Sequence, residues 1–571
     1  MSLSKLKVGF LCSHAPIKKW QMACIEELDK VPNVEIQLLR CSLPFDKPEL
    51  GQSLQKRQVN HRLKKYALGS RRLWNVFYYL FIRNKVSHFK PIENETKLKK
   101  FPSINLSLVK LGSFKYAFTK ASMDTVNLQK FDVLINLELG FLTGPILNLP
   151  THGVWSFHHG NEEKYRGLPP GFWEMYHNDA ICGLVLQRLT EELDAGYILE
   201  KGFVPTHVRS YKRTLEMLFS VGAEWPAKVC RRILQTNYLT TEIKSTTKAK
   251  VYLSPNNKQI VIFLIKLFLR NIKYTFTTFL LAERWRIAVV NAPLKYFIHQ
   301  SMDQLEPNWL PIHEGSTFKA DPFSYPSAQG RKVIFESFDY RTRIGTIHST
   351  RYDIDNQIFE NPRLEIAKPH HLSYPFVFSY QNKTFSLVET YTEKKMSYFE
   401  LTPDGRWITY LEVASDIYRN DNTLFEHEGL WYLFWTQGLL GANVNLNIAY
   451  SDSPFGPFTN HLLNPVKVDI RSARAAGALF KSEGKIYRPS QNSVIGYGSS
   501  INLNEVIKLS PTEFNEITVN EIRPATCWGR FDGLHTLSFL DENHTLIDVK
   551  KYEWIWINVI QVIHAHLRRI F

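Results

Sequence analysis

The sequence predicts two architectures in one chain: an α/β domain built on a parallel sheet, followed by an all-β propeller of five blades. Two observations predict this. The first is an early alternation. Residues 6–12 read as a strand, 18–30 as an amphipathic helix and 34–39 as a second strand, a βαβ start that implies a parallel sheet covered by helices. The second is a short pattern that recurs five times beyond residue 306, each time a strand ending in an aromatic residue or its equivalent, a polar turn, and another apolar strand.

Size and composition agree. A chain of 571 residues is expected to form two or three domains, and 44% hydrophobic residues with 13% aromatics suffice for packed cores. The six cysteines (Cys12, Cys24, Cys41, Cys182, Cys230, Cys527) form no Cys-x-x-Cys pair. Neither a zinc site nor a disulfide framework is suggested, no metal ligand set is read, and a reducing cytoplasmic compartment is expected. The apolar run Val8–Cys12 is too short for a signal peptide, and no run is long and uncharged enough to span a bilayer.

The net charge of +16 is uneven. Residues 51–100 hold 13 Lys/Arg against 2 Glu, a local excess of +11. Such a segment can attract RNA, anionic membranes or phosphorylated substrates, or can be a solvated insertion. Trp74, Phe77, Tyr78, Tyr79, Phe81 and Ile82 favour a folded helix within it. No nucleic-acid motif accompanies it, and no nucleic-acid partner is expected. A basic insertion at about 45–125 therefore interrupts the α/β domain, assigned to 1–240. No Gly-x-Gly-x-x-Gly follows the first strand, so a dinucleotide is not supported.

Phe131–Leu137 resumes the sheet as a near-continuous apolar run, the mark of a central parallel strand. A second apolar run, Val154, Trp155 and Phe157, delivers His158 where a buried strand opens into a loop. A third, Ile181–Leu189, leads to Asp194, with Gly196 two residues on. An imidazole and a carboxylate at the mouths of two strands can converge to polarise a carbonyl and manage a proton. Residues 214–234 read as a closing helix, kinked or broken at Pro226.

Gly-Val-Trp-Ser-Phe-His-His at 153–159, Lys-Tyr-Arg-Gly at 164–167 and Glu-Leu-Asp-Ala-Gly at 192–196 together resemble the core of the formyltransferase family, which includes the methionyl-tRNA and sugar N-formyltransferases. The family's Asn-x-His falls on Ser156 and His158, its Arg-Gly on Arg166 and Gly167, and its Asp on Asp194. The resemblance implies a formyltransferase-like, Rossmann-like fold, with 10-formyltetrahydrofolate as donor and Gly140–Pro150 beside the folate pocket. His158 would donate to a developing oxyanion, Asp194 would orient it and help remove the amine proton, and Ser156 stands where the family has an Asn. Tyr165, Arg166 and Gly167 would contact substrate, Arg166 either binding a phosphate or pinning the loop. Losing a well-placed oxyanion donor can cost about 3 kcal/mol in the barrier.

Residues 241–305 read as a helical linker. Within Gln259–Ala282, Lys266, Arg270 and Lys273 form a cationic stripe on an apolar helix. Packing on the propeller is the favoured reading, and an interfacial membrane helix the alternative.

The propeller is assigned to 306–550. The repeats are Asp-Pro-Phe-Ser-Tyr325, Tyr-Pro-Phe-Val-Phe378, Asp-Asn-Thr-Leu-Phe425, Ala-Gly-Ala-Leu-Phe480 and His-Thr-Leu-Ser-Phe539, spaced by 53, 47, 55 and 59 residues. Propeller blades suit this period better than solenoid repeats. Four residues before each anchor stand Asp321, Tyr374, Asp421, Ala476 and His535, expected to face one another across a central channel with Arg471 and Arg474. The pattern is similar to the five-bladed propellers of arabinanase- and xylosidase-type glycoside hydrolases. It also resembles the non-catalytic N-terminal propeller of plant glucosamine inositolphosphorylceramide transferases, through Phe-Glu-Ser-Phe-Asp339-Tyr, His371-Leu-Ser-Tyr-Pro375 and Arg471-Ser-Ala-Arg474. Asp321 and Asp421 match a base and a pKa-tuning acid, but Ala476 stands where a proton donor is needed. Glu336 or Glu389 could substitute, although each lies elsewhere in its blade.

Residues 551–571 form a tail, read as docked on the body, with peripheral membrane contact as a second reading. The expected function is formyl transfer to an amino sugar or sugar nucleotide in surface-glycan synthesis. The alternatives are a catalytically degenerate glycan-binding or assembly protein, and a glycoside hydrolase or glycosyltransferase run by the propeller.

Overall fold

The computed structural model describes residues 5–42, 69–112, 114–236, 243–311, 317–327, 330–390, 393–415, 417–438 and 441–554. The expected tail beyond Trp554 and part of the basic insertion lie outside them. The chain divides into two compact units, Met1–Asn271 and Ile272–Phe571.

The first unit is a mixed sheet of ten strands. Its strands are β1 (Leu6–Ser13), β2 (Val34–Ser42), β3 (Ser103–Lys110), β4 (Lys115–Phe118), β5 (Val133–Asn136), β6 (Phe141–Leu142), β7 (Val154–His158), β9 (Ile181–Arg188), β10 (Tyr197–Pro205) and Ile243–Lys244, while the short β8 (Arg166–Gly167) pairs outside it with Val251–Tyr252. β1 lies between β2 and β5, and β5 pairs with β7, all in parallel. All four residues of β5 are buried, as expected of a strand covered on both faces.

The fully parallel sheet expected here is corrected at the far edge. β9 runs antiparallel to both β7 and β10. The connection from β7 to β9 runs through β8 and a six-residue helix and returns the chain in the opposite direction. The basic insertion is corrected as well, since β3 pairs in parallel with β2 and extends the sheet rather than interrupting it.

Helix α1 (Lys19–Asp29) buries Trp20, Met22, Cys24, Ile25 and Leu28. α2 (Arg72–Phe77) runs into a π-helical turn, Tyr78–Arg83, and anchors the basic segment through Trp74 and Ile82. α3 (Lys120–Gln129), α4 (Phe172–His177), α5 (Tyr211–Val221) and α6 (Trp225–Thr236) follow. The single closing helix is thus two, with Pro226 in the first turn of α6, where its missing N–H costs nothing.

The expected linker is divided. Asn257–Leu280 is helix α7, and Leu281–Val290 is a strand of the propeller. Along α7, Ile260 and Phe263 are buried in a core with Phe172, Tyr211 and Trp74, so this part packs on the α/β unit, not on the propeller. Lys266 donates to the Tyr176 carbonyl at 2.8 Å, and Arg270 to those of Val208 and Met175. The cationic stripe is therefore a docking face.

The second unit is a five-bladed propeller. Blades one to four begin at Thr317, Ser373, Arg419 and Phe480. The fifth combines both ends of the unit: Leu281–Val290 pairs along its whole length with Thr545–Trp554, which pairs with Gly533–Phe539. This seam closes the ring and leaves no free edge between first and last blade.

Candidate functional sites

In the α/β unit the sheet brings His158 and Asp194 together. His158 ends β7, Asp194 sits in the loop between β9 and β10, and His158 Nδ1 lies 3.3 Å from Asp194 Oδ1. Asp194 takes a left-handed conformation (φ 50°), which turns its other oxygen toward the Gly167 N–H at 2.9 Å. Gly167 (φ +89°) admits no side chain, because a Cβ there would stand 2.2 Å from the Tyr252 carbonyl oxygen. Gly196 is excluded from bearing one in the same way, by the Arg188 carbonyl at 2.2 Å. The two glycines of the motif are thus required by close backbone approach.

His158 Nε2 faces the Tyr165 carbonyl oxygen at 2.8 Å. A carbonyl and a carboxylate only accept, so these neighbours favour hydrogen on both ring nitrogens of His158. Burial alone lowers its pKa, but the hydrogen bond and charge of Asp194 raise it overall. Burial likewise raises Asp194, while His158 and the Gly167 N–H bring it below its ordinary value.

The neighbouring candidates are engaged by protein. Ser156 Oγ donates to the Asn136 carbonyl at 3.2 Å, and Tyr165 to Asp179 at 2.7 Å. The Arg166 guanidinium reaches the Leu193 and Ala249 carbonyls, contacts that pin the loop. Glu174, which the sequence reading missed, is buried beside this group; desolvation pushes its carboxyl up to about 7.

A cavity of about 1080 Å³ opens beyond the carboxyl ends of β1, β5 and β7, walled by Pro16, Lys18, Trp20, Glu138, Phe157 and His159 among others. β1 is the strand from which the parallel connections run in both directions, and the crevice beside it is where open α/β sheets bind ligands. Alternation along β7 gives Phe157 and His159 to this cavity; Ser156 and His158 are not among its walls, and neither is Gly140–Pro150. His159 stacks on Phe219 with centroids 3.9 Å apart. The aromatic walls suit a flat heterocycle. The His158–Asp194 pair is not among the walls of this cavity.

In the propeller, the positions four residues before the anchors meet at the hub. A bulge interrupts the pairing at this point in blades one, two, three and five. Asp321, Tyr374 and Asp421 all have φ between 44° and 54° there, so the same local strain aims each side chain inward.

The inward groups satisfy one another. Asp321 accepts from the Tyr374 N–H at 3.2 Å and lies 3.4 Å from His535 Nε2. His535 Nδ1 is 2.7 Å from Asp548. Asp421 is clamped by Arg474 through two nitrogens and accepts from Gln491 at 3.2 Å. Tyr374 hydroxyl bonds Thr423 and the Gly477 N–H. Arg471 is the exception: it pairs with Asp469 and does not join the hub cluster.

Glu336 and Glu389 lie elsewhere in their blades, as expected, yet both border the hub. They sit on second strands, opposite Ala320 and Ser373 beside the bulges. Burial first, then Asp321 and Asp421 respectively, pushes both carboxyls well above the ordinary range. The signal that could have found them is an acid closing an apolar run, Val-Ile-Phe-Glu336 and Leu-Val-Glu389. Asp321, His535 and Asp548 bring potential metal-ligand atoms within 4.8 Å of one another. Both His535 nitrogens face carboxylates, so the ring serves there as their counter-charge.

Residues 311–533 match the family model described as glucosamine inositolphosphorylceramide transferase 1, N-terminal. The chain is 34% identical over 210 residues to glucosamine inositolphosphorylceramide transferase 1 of Oryza sativa subsp. indica, covering 36% of this chain and 28% of that protein. The same-named protein of Arabidopsis thaliana is 29% identical over 209 residues, covering 36% and 27%. The chain thus spans little more than a quarter of the length of these curated relatives. The family model does not extend over the α/β unit. Among solved structures, a family 117 glycoside hydrolase of Zobellia galactanivorans is similar with 13% identity, a TM-score of 0.31 and coverage of 42% of this chain and 85% of that one. A sugar N-formyltransferase from Shewanella gives 12%, 0.27, 46% and 87%. Both likenesses are too distant to inform the chemistry.

Proposed function

We propose that the chain serves the assembly of a glycan or glycolipid, with its propeller as the carbohydrate-recognition unit and not as a hydrolase. The match of residues 311–533 to part of a transferase named for glucosamine and inositolphosphorylceramide carries this reading. The hub supports the non-hydrolytic part, because Arg474 neutralises Asp421. Calorimetric titration of the full chain with glucosamine-containing oligosaccharides and with inositol-phosphate-linked glycans should give saturable binding. A released-sugar assay on the same compounds should stay silent. Sugar release abolished by Asp321→Asn, or no binding to any of them, would overturn it.

A second reading is favoured by the 3.3 Å approach of His158 and Asp194. The α/β unit would transfer a one-carbon acyl group to the amine of an amino sugar or sugar nucleotide, with 10-formyltetrahydrofolate the donor that the motif resemblance implies. It requires the 160–167 loop to withdraw so that His158 Nε2 is freed from the Tyr165 carbonyl. Titration with 10-formyltetrahydrofolate tests it: no binding, with or without the amino sugar, eliminates it.

A further inference from the structure

α7 carries an apolar face that the α/β unit does not cover. Val261, Leu264, Ile265, Phe268 and Leu269 are exposed by between 39% (Leu264) and 64% (Phe268). At ~100° per residue these five fall within an arc of about 140°. The opposite arc holds Ile260, Phe263, Lys266 and Arg270, the residues that dock on the unit. Large side chains exposed singly are ordinary, but a continuous stripe along one helix marks a surface that another phase or molecule covers. Phe77 packs near Phe263 with centroids 6.2 Å apart, and its own helix leaves Leu80 and Phe81 exposed as well.

The rim of the stripe is cationic. Asn271 falls at its edge, in line with Leu264 and Phe268, and lines a cavity of about 340 Å³ with Thr206, His207, Ser210 and Arg213. No carboxylate lines this recess. The exposed Arg213 has no ion-pair partner among the described residues, and the buried His207 Nε2 has no hydrogen-bond partner among them. Burial, then Arg213 and Arg209, holds His207 below its ordinary pKa.

We propose that this face seats the protein on an anionic lipid bilayer, with the α7 stripe entering the acyl boundary and the Thr206–Arg213 recess taking a phosphate-bearing headgroup. An apolar helix face beside a cationic recess is the arrangement of an interfacial, non-spanning helix at an anionic surface. No helix among the described residues is long and apolar enough to cross a membrane, so peripheral attachment is the form this takes.

Co-sedimentation of the full chain with vesicles of phosphatidylcholine alone, and with added phosphatidylserine, tests the proposal. Binding should need the anionic lipid and weaken as salt is raised. The double variant Phe268→Glu/Leu269→Glu, at exposed positions, should keep the melting profile of the parent and bind at least about tenfold more weakly. Arg213→Gln should reduce the preference for anionic vesicles while inorganic phosphate competes little. Three results would overturn it: equal binding by the double variant; a parent dimer in light scattering that the double variant loses; or a Leu269→Cys variant unreactive toward a maleimide in solution. The last two would show that a second copy or the chain itself covers the stripe.

Discussion

His158 Nδ1 and Asp194 Oδ1 stand 3.3 Å apart at the ends of neighbouring strands, and the Tyr165 carbonyl occupies the other nitrogen of the same ring at 2.8 Å. The pair is therefore an ion pair folded shut, and its energetics can be read from pH. The imidazolium contributes fully below the unfolded histidine value of 6.5, and its share is lost as pH rises through the raised folded value. The carboxylate contributes fully above its unfolded value of 3.8, and its share is lost as pH falls through the lowered folded one. Asp194→Asn should cost about 3 kcal/mol at neutral pH, since it leaves a buried histidine without its counter-charge. Urea titrations from acid to alkaline pH check this, and the His158 ring resonance should titrate at a lower pH in the variant.

Gly167→Ala should disturb the same pair from the other side. A methyl group cannot coexist with the Tyr252 carbonyl 2.2 Å away, so the loop must shift and withdraw the N–H that holds Asp194. A cost of roughly 1–3 kcal/mol is expected. The His158 resonance distinguishes loop displacement from a general loss of stability, because only the former lowers its pKa in the folded chain.

In the propeller, Arg474→Met leaves Asp421 buried without its partner and should destabilise by about 3–5 kcal/mol. Adding Asp421→Asn should recover much of that loss, as the remaining group is then uncharged. Denaturant unfolding of the four species closes the cycle, and additive effects would refute the coupling.

Glu389→Gln should stabilise the propeller and flatten its pH response. The folded pKa of Glu389 lies well above 4.5, so the folded state holds a proton that the unfolded chain releases more readily. Stability falls as pH rises from the unfolded value toward the folded one, by about 1.4 kcal/mol for each unit between them. The glutamine keeps an oxygen to accept the Asp421 N–H, a bond of 2.6 Å in the parent, and has no charge to bury. A variant no more stable than the parent at neutral pH would show that Glu389 is already ionised there.

Much of this was legible in order along the chain. The His158 and Asp194 motifs sit at strand ends, as their apolar runs require, and four of the five positions before the blade anchors reach the hub through one repeated bulge. What was not legible depends on partners far apart in sequence. Nothing local to Leu281–Val290 says that it pairs with Thr545–Trp554, and so the linker could not be divided by inspection. Glu336 and Glu389 each close an apolar run, but only the pairing register places these second-strand residues beside the bulges. On α7 the charges drew attention outward, whereas Lys266 and Arg270 use their tips to bond main-chain carbonyls and leave the apolar side bare.

The strand Leu281–Val290 is made early and its partner Thr545–Trp554 is made some 260 residues later. During synthesis the four middle blades can pair internally as they emerge, but the ring stays an open arc until the last strand has left the ribosome. For that interval Leu281–Val290 is a ribbon paired only at its end, with Pro307–Trp309, and its other edge offers its hydrogen-bonding groups to a stranger. Cells producing this protein must shelter that ribbon or make the remaining strands quickly, and a premature stop before residue 545 would leave the ribbon uncovered for good.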